Sequence, residues 1–209
     1  MMQQKIILSL SERLKEPLPA WDAQKMMSPV SSNRYLQYPD NARQAGVMIL
    51  LSGPHDDLKI TYIKRTSRYP EDPHNGQISF AGGGREDQDN DLKDTAIREC
   101  LEEIGISSIT YEIIGAMSPI YVYVSNYYVQ PYVAYAEGHL SYVLQETEVD
   151  QVIEVPLRTM MQNDIIQYMD YNIRGSVIKN MPYYNLDPHI LWGATAMITA
   201  ELLTIIEEI

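Results

Sequence analysis

The stretch HNGQISFAGGGREDQDNDLKDTAIRECLEEIGI, His74 to Ile106, decides how this chain is read. It joins a short strand-like run, a triple glycine, an acid-rich segment and a run of glutamates closed by a glycine. GQISF (Gly76–Phe80) predicts a strand that leads into Gly82, Gly83 and Gly84. Those glycines predict a flexible backbone turn. A helix is expected from about Asp91 to Ile104, with Asp91 as N-cap, Asp94 in the first turn and Gly105 as the C-terminal stop.

At about 100° per residue, with Glu99 set at zero, Glu103 falls near +40° and Glu102 near −60°. Ala96, Ile97, Cys100, Leu101 and Ile104 occupy the other side. The helix is therefore amphipathic, with one apolar face for the core and three carboxylates in a narrow sector. Like charges three and four apart cost about 0.2–0.5 kcal/mol per pair. A solvated surface face is one explanation of such a cluster. The other is a hard divalent cation, because Mg²⁺ takes oxygen ligands and is commonly shared between carboxylates and substrate phosphates. Arg98 is present, but no lysine or arginine lies four residues beyond the glutamates to neutralise them.

Working outward, residues about 3–15 read as a helix, and residues about 16–40, rich in Pro, Ser and Asn, as a surface wrap. AGVMILL (Ala45–Leu51) reads as a buried strand, SGPHDD as the turn after it, and LKITYIKR (Leu58–Arg65) as its hairpin partner. Strand signals return at ITYEIIG, IYVYV and YYVQPYVAY, where Pro131 suggests an edge or a bulge. QVIEVPL is a further candidate; YNIRGSVIKN and MPYY are weaker ones. PHILWGATAMITAELLTIIEEI reads as a closing helix that starts just after Pro188. The class is α+β, a mixed sheet with helices packed on it. The domain expectation is an N-terminal helix and surface extension over 1–40, then one domain over 41–209.

Bulk properties fit this. The 209 residues suit one domain with a sizeable core, and 45% hydrophobic with 21% charged residues is ordinary for a globular protein. A formal net charge of −12 argues against nucleic-acid backbone binding. No apolar run is long enough to span a bilayer, and the N-terminus reads as a helix rather than a signal peptide. Cys100 is the single cysteine, so no intrachain disulfide forms, which fits a reducing cytoplasm.

The run GGGREDQDNDLKDTAIRECLEEIGI resembles the Nudix box, G-x5-E-x7-R-E-U-x-E-E-x-G-U with U aliphatic. Arg98, Glu99, Glu102, Glu103, Gly105 and Ile106 match it, and Gly84 falls at its glycine. Asn90 stands at the first glutamate position, with Asp89 one residue earlier and Glu86 nearby. RTSRYPEDPHNGQISFAGG is similar to the coenzyme A pyrophosphatase branch through Arg65, Ser67, His74, Gly76, Gln77, Phe80, Gly82 and Gly83. Ala81 replaces that branch's proline. The resemblance covers roughly residues 45–203.

This resemblance implies an α/β/α sandwich of Nudix fold that hydrolyses coenzyme A to 3',5'-ADP and 4'-phosphopantetheine with Mg²⁺ or Mn²⁺. It implies metal binding by Glu99, Glu103, Glu102 and the main chain of Gly83. Glu148 ranks slightly ahead of Glu102 as the general base, with a loop carboxylate of no role as the bland alternative for Glu148. Arg65, His74 and Gln77 are expected at the substrate, although a lone His is as often structural. Arg98 is expected to fix a carboxylate rotamer rather than to catalyse. Tyr127 and Tyr128 are candidates to flank an adenine, and WGATA (Trp192–Ala196) is expected to pack a helix on the sheet. Competing readings are a Nudix hydrolase for NADH or ADP-ribose, a non-catalytic binding module, and an acidic interaction protein. The oligomeric state stays open, a homodimer included.

Overall fold

The computed structural model describes residues 4–29, 38–54, 57–68, 71, 74–173 and 176–209. Parts of five expectations lie outside them: the start of the first helix, residues 30–37 of the surface wrap, residues 55 and 56 of the SGPHDD turn, residues 69, 70, 72 and 73 of RTSRYPEDPHNGQISFAGG, and residues 174 and 175 of YNIRGSVIKN.

The chain opens with helix α1 (Gln4–Arg13), the short α2 (Trp21–Gln24) and a 3-10 turn (Lys25–Met27). The expected surface wrap is thus partly helical. Strands β1 (Arg43–Ser52), β2 (Lys59–Arg65), β3 (Ile78–Ser79) and β4 (Ala81–Gly84) follow, then helix α3 (Leu92–Ile104). Next come β5 (Glu112–Ala116), β6 (Ile120–Val122), β7 (Tyr127–Ala136), β8 (Val149–Pro156) and the one-turn α4 (Leu157–Met160). The chain closes with β9 (Ile166–Ile173), β10 (Ser176–Leu186), β11 (His189–Leu191) and α5 (Gly193–Glu207).

Eight strands form one mixed sheet with a main path β3-β2-β1-β7-β5. β1 runs parallel to β7 over its whole length, from Arg43 opposite Tyr127 to Ser52 opposite Ala136. Alternate residues of β1 enter two different cores. Ala45, Ile49 and Leu51 face α1 and α5, whereas Met48 and Leu50 face α3. A strand covered on both faces has no polar side, which is why AGVMILL is unbroken. The layers are α3, sheet, and α1 with α5.

β1 and β2 pair only through Leu50–Ser52 and Lys59–Thr61. Beyond this they separate, and the β3–β4 segment fills the gap. Ile78 and Ser79 pair with β2, and Ala81–Gly84 pair with β1. The triple glycine is therefore a strand and not the expected turn. Its extended conformation comes from pairing with β1, which local propensity does not report.

Two further expectations are corrected. Pro131 lies in β7, an inner strand, not at an edge. Its missing N–H falls at the junction where β7 changes partner from β6 to β5. The closing helix begins at Gly193, because His189–Leu191 pair with β10. The stretches read as weak strand candidates fall in β10 and the end of β9, which with β11 form a separate three-stranded sheet, β11-β10-β9.

Candidate active site

Helix α3 has the predicted ends. Asp91 accepts from the N–H groups of Lys93 and Asp94, both at 2.9 Å, and Gly105 closes the helix at φ 73°. Its contact with the sheet is close because β1 presents Gly46, where any Cβ would run into the backbone of Leu92 and Ala96. This approach lays β4 directly along the acidic side of the helix.

The three glutamates separate there. Glu103, one of the cluster read as either a solvated face or a cation site, is 1% exposed and accepts from the Gly82 N–H at 2.9 Å. Burial pushes its carboxyl up to about 8. Arg65, at the end of β2, sits 3.7 Å from its Oε1. Glu99, also largely buried, is raised by desolvation and accepts from Arg98 Nη1 at 2.8 Å. Gly83 lies against Glu99, and a Cβ there would fill the space taken by its carboxylate. Glu102 is exposed and held by Arg98 Nη1 at 2.9 Å, so the structure does not bring it under the glycine strand with the other two. Leu101, counted on the core face, is also exposed.

Arg98 organises the group. Its Nη2 donates to the Gly84 carbonyl and to Asp89 Oδ2, both at 3.0 Å, and its Nε donates to Asp89 Oδ1 at 3.1 Å. Asp89 is buried and also accepts from the Glu86 N–H and the Thr95 hydroxyl, each at 2.9 Å. Arg98 and these bonds hold its carboxyl well below the usual carboxylate range. The acid that anchors Arg98 is therefore Asp89, one residue ahead of Asn90. The spacing alone left Asp89 and Glu86 both open, and burial separates them, since Glu86 stays exposed.

Glu148 immediately precedes β8. Its carbonyl accepts from the Thr66 N–H at 2.8 Å, and its exposed side chain contributes to the raised values of both Glu99 and Glu103. The loop before it is tied to the end of α3 through Gln145 N–H to the Glu103 carbonyl at 3.0 Å. His74 and Gln77 meet through Nδ1 and Oε1 at 3.2 Å, and the Arg65 N–H donates to the Gln77 carbonyl at 3.0 Å.

Arg65, His74 and Gln77 line a cavity of about 620 Å³ on the opposite side of β4 from α3. Gly82, Gly83 and Gly84 form one of its walls. Most of the rest is apolar, including Val47, Ile78, Phe80, Val129, Trp192 and Ile198. Trp192–Thr195, expected only to pack α5 on the sheet, also line it. So do Arg43 and Tyr127. Sequence reasoning missed Arg43, because a single arginine at the start of a strand carries no spacing signal.

Two buried carboxylates one helical turn apart, beside the main-chain carbonyls of the glycine strand, form a set of hard oxygen donors. Among the described residues no three Asp, Glu, His or Cys side chains converge into a full metal shell. Mg²⁺ does not need one, since it keeps several waters and binds through one or two carboxylates. The residues present fit such an ion.

The NUDIX domain family profile matches residues 42–170. Over 164 residues, 78% of this chain, the sequence is 30% identical to the Uncharacterized Nudix hydrolase NudL of Photorhabdus laumondii, of which 84% is covered. The corresponding protein of an Escherichia coli strain is 33% identical, with 78% of this chain and 82% of the relative covered. Solved structures similar to the chain include a Caenorhabditis elegans Ap4A hydrolase binary complex, at a TM-score of 0.47 and 15% identity, covering 57% of this chain and 83% of that one. Another is a MutT/nudix family protein from Enterococcus faecalis, at 0.47 and 15%, covering 94% and 69%. The chain belongs to the Nudix family and is a pyrophosphohydrolase.

Proposed function

We propose that the chain hydrolyses the pyrophosphate bond of coenzyme A or its derivatives, with Mg²⁺ or Mn²⁺, to 3',5'-ADP and 4'-phosphopantetheine. The observation that carries this reading is the cavity beside the glycine strand. It is mostly apolar, and the basic side chains among its described lining residues are Arg43, Arg65 and His74. A diphosphate that bears a long uncharged arm suits such a space: the charged part lies against the glycines and Arg65, the arm among Phe80, Trp192 and Ile198.

Glu99 and Glu103, with the main chain of Gly83, hold the divalent ion, which when bound neutralises phosphate charge and lowers the pKa of water. Arg98, fixed by Asp89, keeps Glu99 in position. Arg65, His74 and Gln77 orient the phosphates, so the phosphorus is presented to the attacking water in one geometry. Glu148 accepts the proton of that water. Glu102 ranks below it because Arg98 already holds its carboxylate. The setting is the cytoplasm, in keeping with one buried thiol and, among the described residues, no helix long and apolar enough to cross a membrane.

Turnover of coenzyme A, NADH and ADP-ribose with Mg²⁺ and with Mn²⁺ tests the proposal. Coenzyme A is expected to show the highest kcat/KM. Far faster turnover of ADP-ribose or NADH would overturn it.

A further inference from the structure

Arg43 and Arg65 stand at opposite ends of the glycine strand. Arg65 reaches Glu103, which is bonded to Gly82. Arg43 belongs to the other end. On β1, Ala45 is the residue opposite Gly84, and Arg43 lies two positions further out. From Arg43 to Gly46, the partner of Gly83, is about 10 Å of extended chain.

The Arg43 guanidinium is held in place. Its carbon lies 4.1 Å from the centroid of the Tyr127 ring, the residue opposite it in the β1–β7 register. Its Nη2 donates to the Ser125 carbonyl at 2.9 Å, and its backbone N–H donates to the Asn126 carbonyl at 2.9 Å. The turn that supplies these carbonyls is itself fixed: the Tyr121 hydroxyl donates to Asn126 Oδ1 at 2.9 Å, and Asn126 adopts φ 55°. A guanidinium has five N–H donors, and one hydrogen bond to Ser125 leaves most of them for a ligand. Among the described residues no carboxylate pairs with it. No Asp or Glu among the described residues lines the cavity, although the chain carries a net charge of −12.

We infer that Arg43, seated on Tyr127, forms a second anion subsite that binds a phosphomonoester on the nucleotide half of the substrate, separate from the diphosphate held beside Gly83 and Arg65. The inference rests on the coenzyme A reading, in which the ribose 3'-phosphate is that group. A pre-oriented planar fork suits phosphate bound through two parallel N–H donors, and its fixed side chain leaves little ordering cost for binding. The enzyme therefore prefers substrates phosphorylated on the ribose over the same molecules lacking that phosphate.

The test compares kcat/KM for coenzyme A and for 3'-dephospho-coenzyme A, with Mg²⁺, in the wild type and in Arg43→Gln. The wild type is expected to favour coenzyme A, and Arg43→Gln to reduce that ratio by roughly tenfold or more, mainly through KM. Arg43→Lys, which keeps the charge without the fork, is expected to fall between them. An unchanged ratio, whether both substrates lose equally or neither does, overturns the subsite. If the wild type cleaves neither compound, the coenzyme A reading has failed by itself, and equilibrium binding still decides the subsite. Adenosine 3',5'-bisphosphate should then bind more tightly than AMP, and Arg43→Gln should abolish the difference. Equal binding of the two nucleotides by the wild type overturns it.

Discussion

Gly83 has no room for a methyl group, because Glu99 occupies that space. The obstructing atoms are the far end of a movable side chain, so Gly83→Ala costs the fold little but displaces the carboxylate proposed to hold the metal. A shift of about 1 Å in such a site is worth roughly a hundredfold in rate. Gly83→Ala should therefore lose about that much in kcat/KM while its melting temperature stays near the wild-type value, as steady-state kinetics and a thermal melt will show. Glu99→Gln and Glu103→Gln should each lose activity by orders of magnitude with the fold retained; unchanged activity in both would refute the metal assignment. Glu103 also sets a pH dependence. Its folded-state carboxyl titrates at about 8, against 4.5 for an ordinary glutamate. Between those values the folded state binds more protons than the unfolded state. The metal-free chain consequently loses stability as pH rises from 4.5 towards 8. Since Mg²⁺ competes with the same proton, its stabilising effect should grow across that window. Melting temperatures with Mg²⁺ and with a chelator, at several pH values, check the sign.

Element positions follow from a few close approaches. α3 can lie on β1 only because Gly46 lacks a side chain, and here the obstructing atoms are backbone. Gly46→Ala should cost about 2–3 kcal/mol in a urea titration, since neither element can yield cheaply. Asp89→Asn should cost roughly 2–3 kcal/mol as well, because it leaves Arg98 with a half-buried charge short of its main partner. It should also lower kcat, as Glu99 loses a fixed neighbour. The ends of α3 were legible in the sequence, because Asp91 and Gly105 act through local bonds. The glycine strand was not legible. Gly82–Gly84 have no side chains to signal burial, and β1 supplies their extended form across some 35 residues of sequence. Pro131 misled for a related reason, since only the sheet reveals that β6 ends and β5 begins opposite it.

At the scale of the whole molecule, the helical period gathered the glutamates of Arg98–Glu103 on one side and the Nudix resemblance implied a metal there, but only the fold separates buried Glu103 from exposed Glu102. The cavity was not legible in the sequence, because it is assembled from β1, β2, β3, β4, β6, β7, β10 and the start of α5, which meet only in three dimensions. α5 is held against the sheet through the buried pair of Tyr62 and Thr199 hydroxyls at 3.1 Å. Its buried Glu201 accepts from Gln24 Nε2 at 2.9 Å and from the Ala20 N–H at 3.0 Å, which ties the N-terminal segment to the same core. This arrangement sets a helix start beside a cation-lined wall and an apolar interior, and it is the reason a diphosphate with a long uncharged arm is the substrate proposed. The most direct test is a product assay on coenzyme A with Mg²⁺, resolving nucleotide and pantetheine products by chromatography, for the wild type and Glu103→Gln. Equimolar 3',5'-ADP and 4'-phosphopantetheine from the wild type, and neither from Glu103→Gln, is the predicted result. Intact coenzyme A under conditions where ADP-ribose or NADH is cleaved would contradict it.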